Sequence, residues 1–211
     1  YAKESIMETL RRDPNKSTTV AHPGGDHIPI LTKKPKSSTT TSYLRLGTIE
    51  ARKAPLEILE EFERAITGNP GLDIELHFVG KPASVDIYLN DAIERAIARE
   101  LPIRWTQGAT DSEVMQIIQE SSIFLSYGTE GYGIPVLESI RMGTPVVFDG
   151  IQPAAEIMEA HGTHRFPLDQ VFTHPLGQSV SESDQARVPG WIGYVDQVTE
   201  QLKINSSRQS L

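Results

Sequence analysis

The stretch Ser122-Ile-Phe-Leu-Ser126-Tyr-Gly-Thr-Glu130-Gly-Tyr-Gly-Ile-Pro-Val-Leu-Glu138 indicates the fold most directly. Residues 122–126 form a short apolar run of the kind that makes a buried strand. The glycines that follow allow close backbone approach and positive φ angles, and Pro135 suits the first position of a helix. This stretch therefore predicts a strand, a ligand-facing loop and a helix in succession.

The predicted helix start suits an anion, and two carboxylates flank it. The helix N–H groups and the positive end of its dipole would face Gly131 and Gly133, which favours phosphate there. Glu138 would be repelled by phosphate and is better suited to the diol of a ribose. Glu130 is the candidate contact to a transferred group. The alternative is a surface loop with two solvated glutamates; the glycines, the proline and the apolar run after Gly143 favour the functional interpretation.

Strand and helix patterns alternate along the middle of the chain, which predicts an α/β fold with a parallel sheet and helices on both faces. The predicted strands are 43–46, 74–79, 102–105, 122–126 and 145–148. Three helices are predicted over 85–100, 111–121 and 153–160, and two more are predicted to begin at residues 55 and 135. Asp111 or Ser112 is the expected cap of the helix over 111–121. Ligands in such sheets bind beyond the carboxyl ends of the strands, so site residues are expected in the loops there.

Composition narrows the class of protein. The 211-residue chain has a formal net charge of −8, which argues against a protein that binds nucleic acid. It has no cysteine, so disulfides and thiolate metal sites are excluded. No apolar run has membrane-spanning length, and no signal peptide is recognisable. Because the sequence opens at Tyr1 in mid-pattern, we expect a part of a longer protein, located in the cytoplasm or at the inner face of the membrane.

Polar and small residues in two further predicted loops are candidates for the same ligand. Arg52 and Lys53 follow the first strand and suit a diphosphate, although two solvated loop cations explain them equally well. Gly108 lies in a small-residue loop that suits a flat base stacked against its backbone, or a plain helix-capping loop.

The sequence offers no evident metal site. The six histidines lack metal-ligand spacing, and no Asp-x-Asp pair is present to hold a divalent cation against a diphosphate. We therefore expect neither a metal nor another cofactor, with positive charge and the helix dipole stabilising a leaving group instead.

Residues 43–156 resemble the C-terminal domain of a family-four retaining glycosyltransferase of the GT-B fold. The resemblance is carried by Leu46-Gly-Thr-Ile-Glu-Ala-Arg-Lys53, by Phe78-Val-Gly-Lys81 and by the Glu-x7-Glu block over 130–147. The first of these is similar to a variant common among bacterial mannosyltransferases and O-antigen or capsule enzymes. The resemblance implies a Rossmann-like domain that forms one half of a GT-B fold and binds a nucleotide-sugar donor.

The resemblance also implies a role for each matching residue. Glu130 would meet the donor sugar as the catalytic residue, Glu138 would bind the ribose, and Lys53 would contact the diphosphate. The donor-binding residues implied are Arg52, Lys53, Gly131, Tyr132, Gly133, Ile134, Leu137 and Glu138, to which the loop argument adds Gly108. The sequence departs from the family pattern at Thr48, where many members carry an arginine, so Arg52 is the expected replacement for that cation.

Three segments follow from the resemblance. Residues 1–41 are expected to be the tail of an N-terminal domain and an interdomain linker, 42–185 the nucleotide-sugar-binding domain, and 186–211 a C-terminal helix that crosses back to the N-terminal domain. Since a GT-B site lies between two domains, the missing N-terminal domain is an expected partner. The acceptor, a glycan or a lipid-linked sugar, is expected to bind mainly there. We therefore expect this chain alone to bind donor weakly and to transfer nothing.

The implied function is transfer of a hexose in the synthesis of surface polysaccharide. GDP-mannose is the first expectation for the donor and a UDP-sugar the second. One alternative is another GT-B enzyme, such as a nucleotide-sugar epimerase or a phosphorylase, although epimerases lack the Glu-x7-Glu block and nothing here marks a pyridoxal lysine. The other is a non-catalytic GT-B-like module within a larger polysaccharide-assembling protein.

Overall fold

The computed structural model describes residues 40–129, 133–148 and 167–173. The strands are β1 Thr41–Leu46, β2 Ile74–Val79, β3 Ile103–Thr106, β4 Ile123–Ser126 and β5 Val146–Phe148. The helices are α1 Pro55–Gly68, α2 Ile87–Ala98, α3 Asp111–Glu120, α4 Ile134–Arg141 and α5 Leu168–Val171, and a 3-10 turn, Ala51–Lys53, precedes α1. The predicted strands are all present.

The five strands form one parallel sheet in the order β3-β2-β1-β4-β5. In the centre, Leu46 of β1 lies opposite Val79 of β2, and Tyr43 lies opposite Ile123 of β4. The chain builds outward from β1 through β2 and β3, and then returns to the other side of β1 for β4 and β5. The strand order therefore reverses between β1 and β4, and in such sheets a ligand crevice lies beyond the carboxyl ends of those two strands.

Alternate side chains of β1 enter two hydrophobic cores, one on each face of the sheet. Tyr43 packs in the larger core with Phe62 of α1 and Ile93 of α2. Leu44 packs in the second core, with Ile118 of α3 and Val136 of α4. Because helices cover both faces, most side chains of the strands are apolar. The predicted fold class, a Rossmann-like parallel sheet with helices on both faces, is confirmed.

Several element boundaries differ from the prediction by one or two residues. The helix α2 begins at Ile87 rather than at residue 85, so Val85 precedes the helix and is exposed. The helix α4 begins at Ile134, which makes Pro135 its second residue rather than its first. Residues 51–53 were predicted as loop and form the 3-10 turn, because a single turn has too few residues to show a period.

The cap of α3 is Thr110, and the prediction of Asp111 or Ser112 is wrong. The Thr110 hydroxyl accepts a hydrogen bond from the Glu113 N–H at 3.3 Å, while the Thr110 N–H donates to the Glu113 carboxylate at 2.7 Å. The Thr110 hydroxyl also donates to the Glu113 carboxylate, and the two hydrogen bonds that this carboxylate accepts from Thr110 lower the pKa of Glu113. Asp111 is the first helical residue, where an acid also interacts well with the helix dipole. Residue type alone therefore does not distinguish the two positions.

The helix α5 was not predicted, and it completes the larger core. The Tyr43 hydroxyl donates to the Val171 carbonyl at 2.9 Å, and the ring of Phe172 meets the rings of Tyr43 and Phe62 edge-on. Burial raises the pKa of the Tyr43 hydroxyl above its usual range. One turn of helix gives no periodic signal, so only the contacts of this segment identify it as core.

Several predictions lie outside the described residues. These are the helix over 153–160 and nearly all of the segments 1–41 and 186–211, so the division into three segments stays a prediction. None of the helices in the described part of the chain combines the length and the hydrophobicity needed to traverse a bilayer.

Candidate functional site

The loops that follow β1 and β4 contact each other at the point where the strand order reverses. The Thr129 N–H donates to the Arg52 carbonyl at 2.5 Å, and the Arg52 guanidinium donates back to the Thr129 carbonyl at 2.9 Å. These reciprocal hydrogen bonds join the two loops at the position where sheets of this kind bind ligands.

The close approach of the two loops depends on Gly128. Its φ of +79° lies in the left-handed region, and a β-carbon there would be 2.3 Å from the Arg52 carbonyl oxygen and 2.8 Å from the Lys53 Cα. Both neighbours are backbone atoms, which cannot rotate away as a side chain can. Any other residue at this position would therefore push the β4 loop away from the β1 loop.

The Lys53 side chain folds over Gly47, the first residue after β1. A β-carbon at Gly47 would lie 2.6 Å from Lys53 Nζ, and a β-carbon at Gly80 would lie 2.1 Å from the Gly47 carbonyl oxygen. The ends of β1 and β2 therefore pack backbone against backbone. Glycine at position 80 allows this backbone packing, and glycine at position 47 leaves room for the Lys53 ammonium over the carboxyl end of the central strand.

Arg52 has partners in both loops. Its guanidinium forms an ion pair with Glu50 at 2.6 Å and donates to the Thr129 carbonyl. About half of its side chain is exposed. Arg52 thus braces the contact between the loops and shares its charge with a carboxylate.

The sequence prediction missed Arg45, a buried cation of β1 that lies beneath the contact between the loops after β1 and β4. Arg45 is 3% exposed, and its guanidinium donates to the carbonyls of Lys53 and Leu46. An arginine inside the apolar strand 43–46 was the available signal, because a charge is almost never fully buried unless it has partners.

Gly108 follows β3 on the same edge of the sheet, in a loop with open space around it. Its φ is +69°, and a β-carbon there would meet no atom within 4 Å. The neighbouring strand ends are joined, since the Trp105 indole donates to the Gly80 carbonyl at 3.1 Å and the Gly80 N–H donates to the Thr106 carbonyl at 2.9 Å. The space where a β-carbon of Gly108 would stand is therefore open, two strands away from Lys53.

The start of α4 offers fewer free N–H groups than the sequence suggested. Gly133 precedes the helix with a φ of +82°, and the N–H groups of Val136 and Leu137 both donate to the Gly133 carbonyl. Pro135 has no N–H. Ile134 is 48% exposed at the helix start, whereas Leu137 and Glu138 are partly buried. The donors toward an anion are therefore expected from residues at or before Ile134.

Glu130, Gly131 and Tyr132 lie outside the described residues. Their predicted contacts with the donor sugar stay predictions, as do the ligand roles of Arg52, Lys53, Gly108 and the residues of α4.

Two observations concern ionisable groups near the sheet edge. Within residues 40–129, 133–148 and 167–173, no three side chains of His, Cys, Asp or Glu gather as a metal site would require.

His77 of β2 is 6% exposed and lies 2.8 Å from the Thr106 hydroxyl. Burial, with a smaller effect of the nearby Arg104 cation, lowers the pKa of His77 from 6.5 to about 4. A neutral His77 suits a packing role rather than anion binding.

Known proteins share both the sequence and the fold of this region. Residues 41–171 match the family described as glycosyl transferases group 1. The chain is 29% identical over 122 residues to the serotype-specific mannosyltransferase WbdA of Escherichia coli. The aligned part is 57% of this chain and 15% of WbdA, so the chain spans a small share of that relative's length.

Two solved structures extend the likeness. The pneumococcal O-GlcNAc transferase GtfA, in complex with UDP and GlcNAc, superposes with a TM-score of 0.63 at 18% identity, over 95% of this chain and 40% of GtfA. The C-terminal domain of LpcC, a glycosyl transferase group 1 family protein from Francisella tularensis, gives a TM-score of 0.56 at 18% identity, over 85% of this chain and 94% of that domain. The structural likeness establishes the fold, and the family match covers more than half of the sequence: the chain belongs to the glycosyl transferases group 1 family.

Proposed function

We propose that residues 42–185 bind the nucleotide-sugar donor of a retaining glycosyltransferase that transfers a hexose to a glycan or a lipid-linked acceptor. Mannose from GDP-mannose is the first choice of donor and a UDP-sugar the second, and surface polysaccharide is the proposed product. The observation that carries the proposal is the Lys53 ammonium over Gly47, at the reversal point between β1 and β4. A diphosphate is the group that such a cation in such a crevice suits best.

The comparisons support the proposal at different levels. The similarity to WbdA, a mannosyltransferase, supports transfer of mannose. The match to nearly all of the LpcC C-terminal domain supports a C-terminal, donor-side role. Because the chain spans 15% of WbdA, the activity of the whole protein and its N-terminal partner domain belong to this proposal.

In the proposed complex each residue contacts a different part of the donor. Lys53 and the start of α4 face the diphosphate, Glu138 binds the ribose, and the loop at Gly108 accepts the base. Glu130 orients the sugar. As the bond between the sugar and the phosphate breaks, a donor phosphate oxygen takes the proton of the acceptor hydroxyl, and the new glycosidic bond forms on the same face of the sugar. We propose that the transfer uses no metal, because Lys53 and the helix start would stabilise the diphosphate that leaves.

Titration calorimetry of the chain with GDP, UDP and ADP tests this proposal. We expect one of the three to bind, with the same affinity in EDTA. Lys53→Met should weaken binding by about tenfold or more, since hydrogen bonds to charged groups contribute roughly 1.5–3 kcal/mol. Lys81→Met removes an exposed lysine from the next loop of the same edge and is the matched control.

Glu138→Ala should also abolish or greatly weaken binding of the preferred nucleotide, because the ribose loses its carboxylate partner. If no nucleotide binds to this chain or to a longer form that includes the N-terminal domain, the donor-site assignment is wrong. Unchanged sugar transfer by a Glu130→Ala variant of the longer protein would contradict the catalytic role and favour a non-catalytic module.

A further inference from the structure

We propose that Arg45 is a positioning residue for diphosphate recognition, which acts by holding the backbone of Lys53. This inference rests on the proposed function, since it assigns a role within the same donor site. Arg45 does not face the crevice as a ligand contact would; it is 3% exposed and lies within β1.

The Arg45 guanidinium joins the two ends of the loop after β1. Its Nε and Nη2 atoms donate to the Lys53 carbonyl, each at 3.3 Å, and its Nη1 atom donates to the Leu46 carbonyl at 3.1 Å. Leu46 is the last residue of the strand and Lys53 the last residue of the 3-10 turn. One planar side chain therefore sets the distance between the strand end and the residue that carries the ammonium.

The Lys53 carbonyl lies at a break between two helical segments. Ala54 follows with a φ of +53°, and its N–H donates back to the Ala51 carbonyl at 3.0 Å to close the 3-10 turn. Pro55 then starts α1 and has no N–H to offer. Arg45 gives the Lys53 carbonyl a charged donor at this break, and a charged donor makes a stronger hydrogen bond than a neutral one.

The Lys53 backbone is held from a second side as well. A β-carbon at Gly128 would lie 2.8 Å from the Lys53 Cα, so the β4 loop packs directly against this residue. With Arg45 on its carbonyl and Gly128 on its Cα, the backbone of Lys53 is fixed, and its side chain extends over Gly47. A preorganised cation binds an anion better because less conformational entropy is lost on binding.

Stability alone does not explain an arginine at this position. Arg45 lies on the same face of β1 as Tyr43, whose side chain is in the larger core. An apolar residue would fill that side of the sheet without the desolvation that burying a guanidinium entails. The guanidinium of arginine presents its donors in a fixed planar fork that can hold two carbonyls in one geometry, whereas lysine carries a point charge on a flexible stem and an apolar residue has no donor.

A double-mutant cycle with Arg45→Met and Lys53→Met tests this role. In each variant the affinities for the preferred nucleoside diphosphate and for the corresponding nucleoside are measured by calorimetry on the full chain. We expect Arg45→Met to weaken diphosphate binding about tenfold while nucleoside binding changes less than twofold. The double variant should bind no more weakly than Lys53→Met alone, because Arg45 acts through Lys53.

Arg45→Gln keeps one hydrogen-bond donor without the charge and gives a second variant if Arg45→Met does not fold. We expect Arg45→Gln to bind the diphosphate about threefold more weakly than the unmodified chain does, which is a smaller loss than that expected for Arg45→Met. Equal losses of diphosphate and nucleoside affinity, or losses that add in the double variant, would overturn the inference while leaving the donor site in place. If the unmodified chain in its longer form binds no nucleotide, the proposed function fails and the inference falls with it.

Discussion

At the scale of single residues, the crevice depends on the contact between Gly128 and the backbone of the β1 loop. We predict that Gly128→Ala destabilises the domain by about 2–5 kcal/mol. This is the cost of holding an alanine in the left-handed region plus the cost of overpacking the contact between the loops. Gly108→Ala is the matched control: its φ is also positive, but its β-carbon would meet open space. Gly108→Ala should lower the free energy of unfolding only by the cost of a left-handed alanine, about 1–2 kcal/mol. Urea unfolding measures both, and equal losses would show that the contact between the loops adds nothing.

Residue type predicted some of the site and missed the rest. Arg52 and Lys53 were predicted to lie in the loop after the first strand, and the structure places that loop at the reversal point between β1 and β4. The hydrogen bonds of Arg45 were missed, because nothing near it in the sequence shows that its guanidinium meets a carbonyl eight residues later. That contact exists only because the 3-10 turn folds Lys53 back against β1.

At the scale of elements, the end of α2 carries a residue that is unusual for its conformation. Glu100 has a φ of +60°, its N–H donates to the Ile97 carbonyl at 2.9 Å, and the Leu101 N–H donates to the Ala96 carbonyl at 3.4 Å. This is the hydrogen-bond pattern of a Schellman motif, in which glycine is preferred at the left-handed position. The helix therefore ends with a strained glutamate.

We predict that Glu100→Gly stabilises the domain by about 0.5–1 kcal/mol, because glycine adopts positive φ without the clash of a β-carbon. Thermal unfolding should show a rise in Tm of a few degrees. Glu100→Ala removes the same carboxylate but keeps the β-carbon, so it should give no rise. A rise of similar size in both variants would attribute the effect to charge rather than to backbone strain.

Periodicity predicted elements well where they were long or apolar. The bounds of β2 and the start of α1 match the prediction, because alternating residues and a proline mark them clearly. The 3-10 turn at 51–53 and the helix α5 have one turn each and no detectable period. They form where tertiary contacts such as those of Arg45 and Phe172 hold them.

At the scale of the whole molecule, we predict that the stability of the domain falls in mild acid because of His77. Its pKa is about 4 in the folded protein against 6.5 as an ordinary value, so the unfolded chain binds the additional proton between these two values. Stability contributed by neutral His77 is therefore complete above pH 6.5 and is lost as the pH falls toward 4. The full loss is on the order of 3 kcal/mol, at about 1.4 kcal/mol per pH unit.

Urea unfolding at pH 7, 6 and 5 checks this prediction against His77→Gln, which keeps a polar group beside the Thr106 hydroxyl. Acidic residues that affect both proteins equally cancel in the comparison. The difference in free energy of unfolding between the unmodified chain and His77→Gln should therefore narrow or reverse as the pH falls. Parallel curves for the two proteins would mean that His77 does not couple folding to pH.

Local sequence determined the alternation of strands and helices, the class of fold and the glycine-rich start of α4, because propensity, capping and periodicity act between near neighbours. Only the tertiary structure decided the strand order, the reversal point at β1 and β4, and the contact between Arg52 and Thr129, which are 77 positions apart. Such contacts depend on how the crossovers place distant loops on one edge of the sheet. No local pattern encodes that distance, so the position of the Lys53 ammonium and the support from Arg45 became visible only in the folded chain.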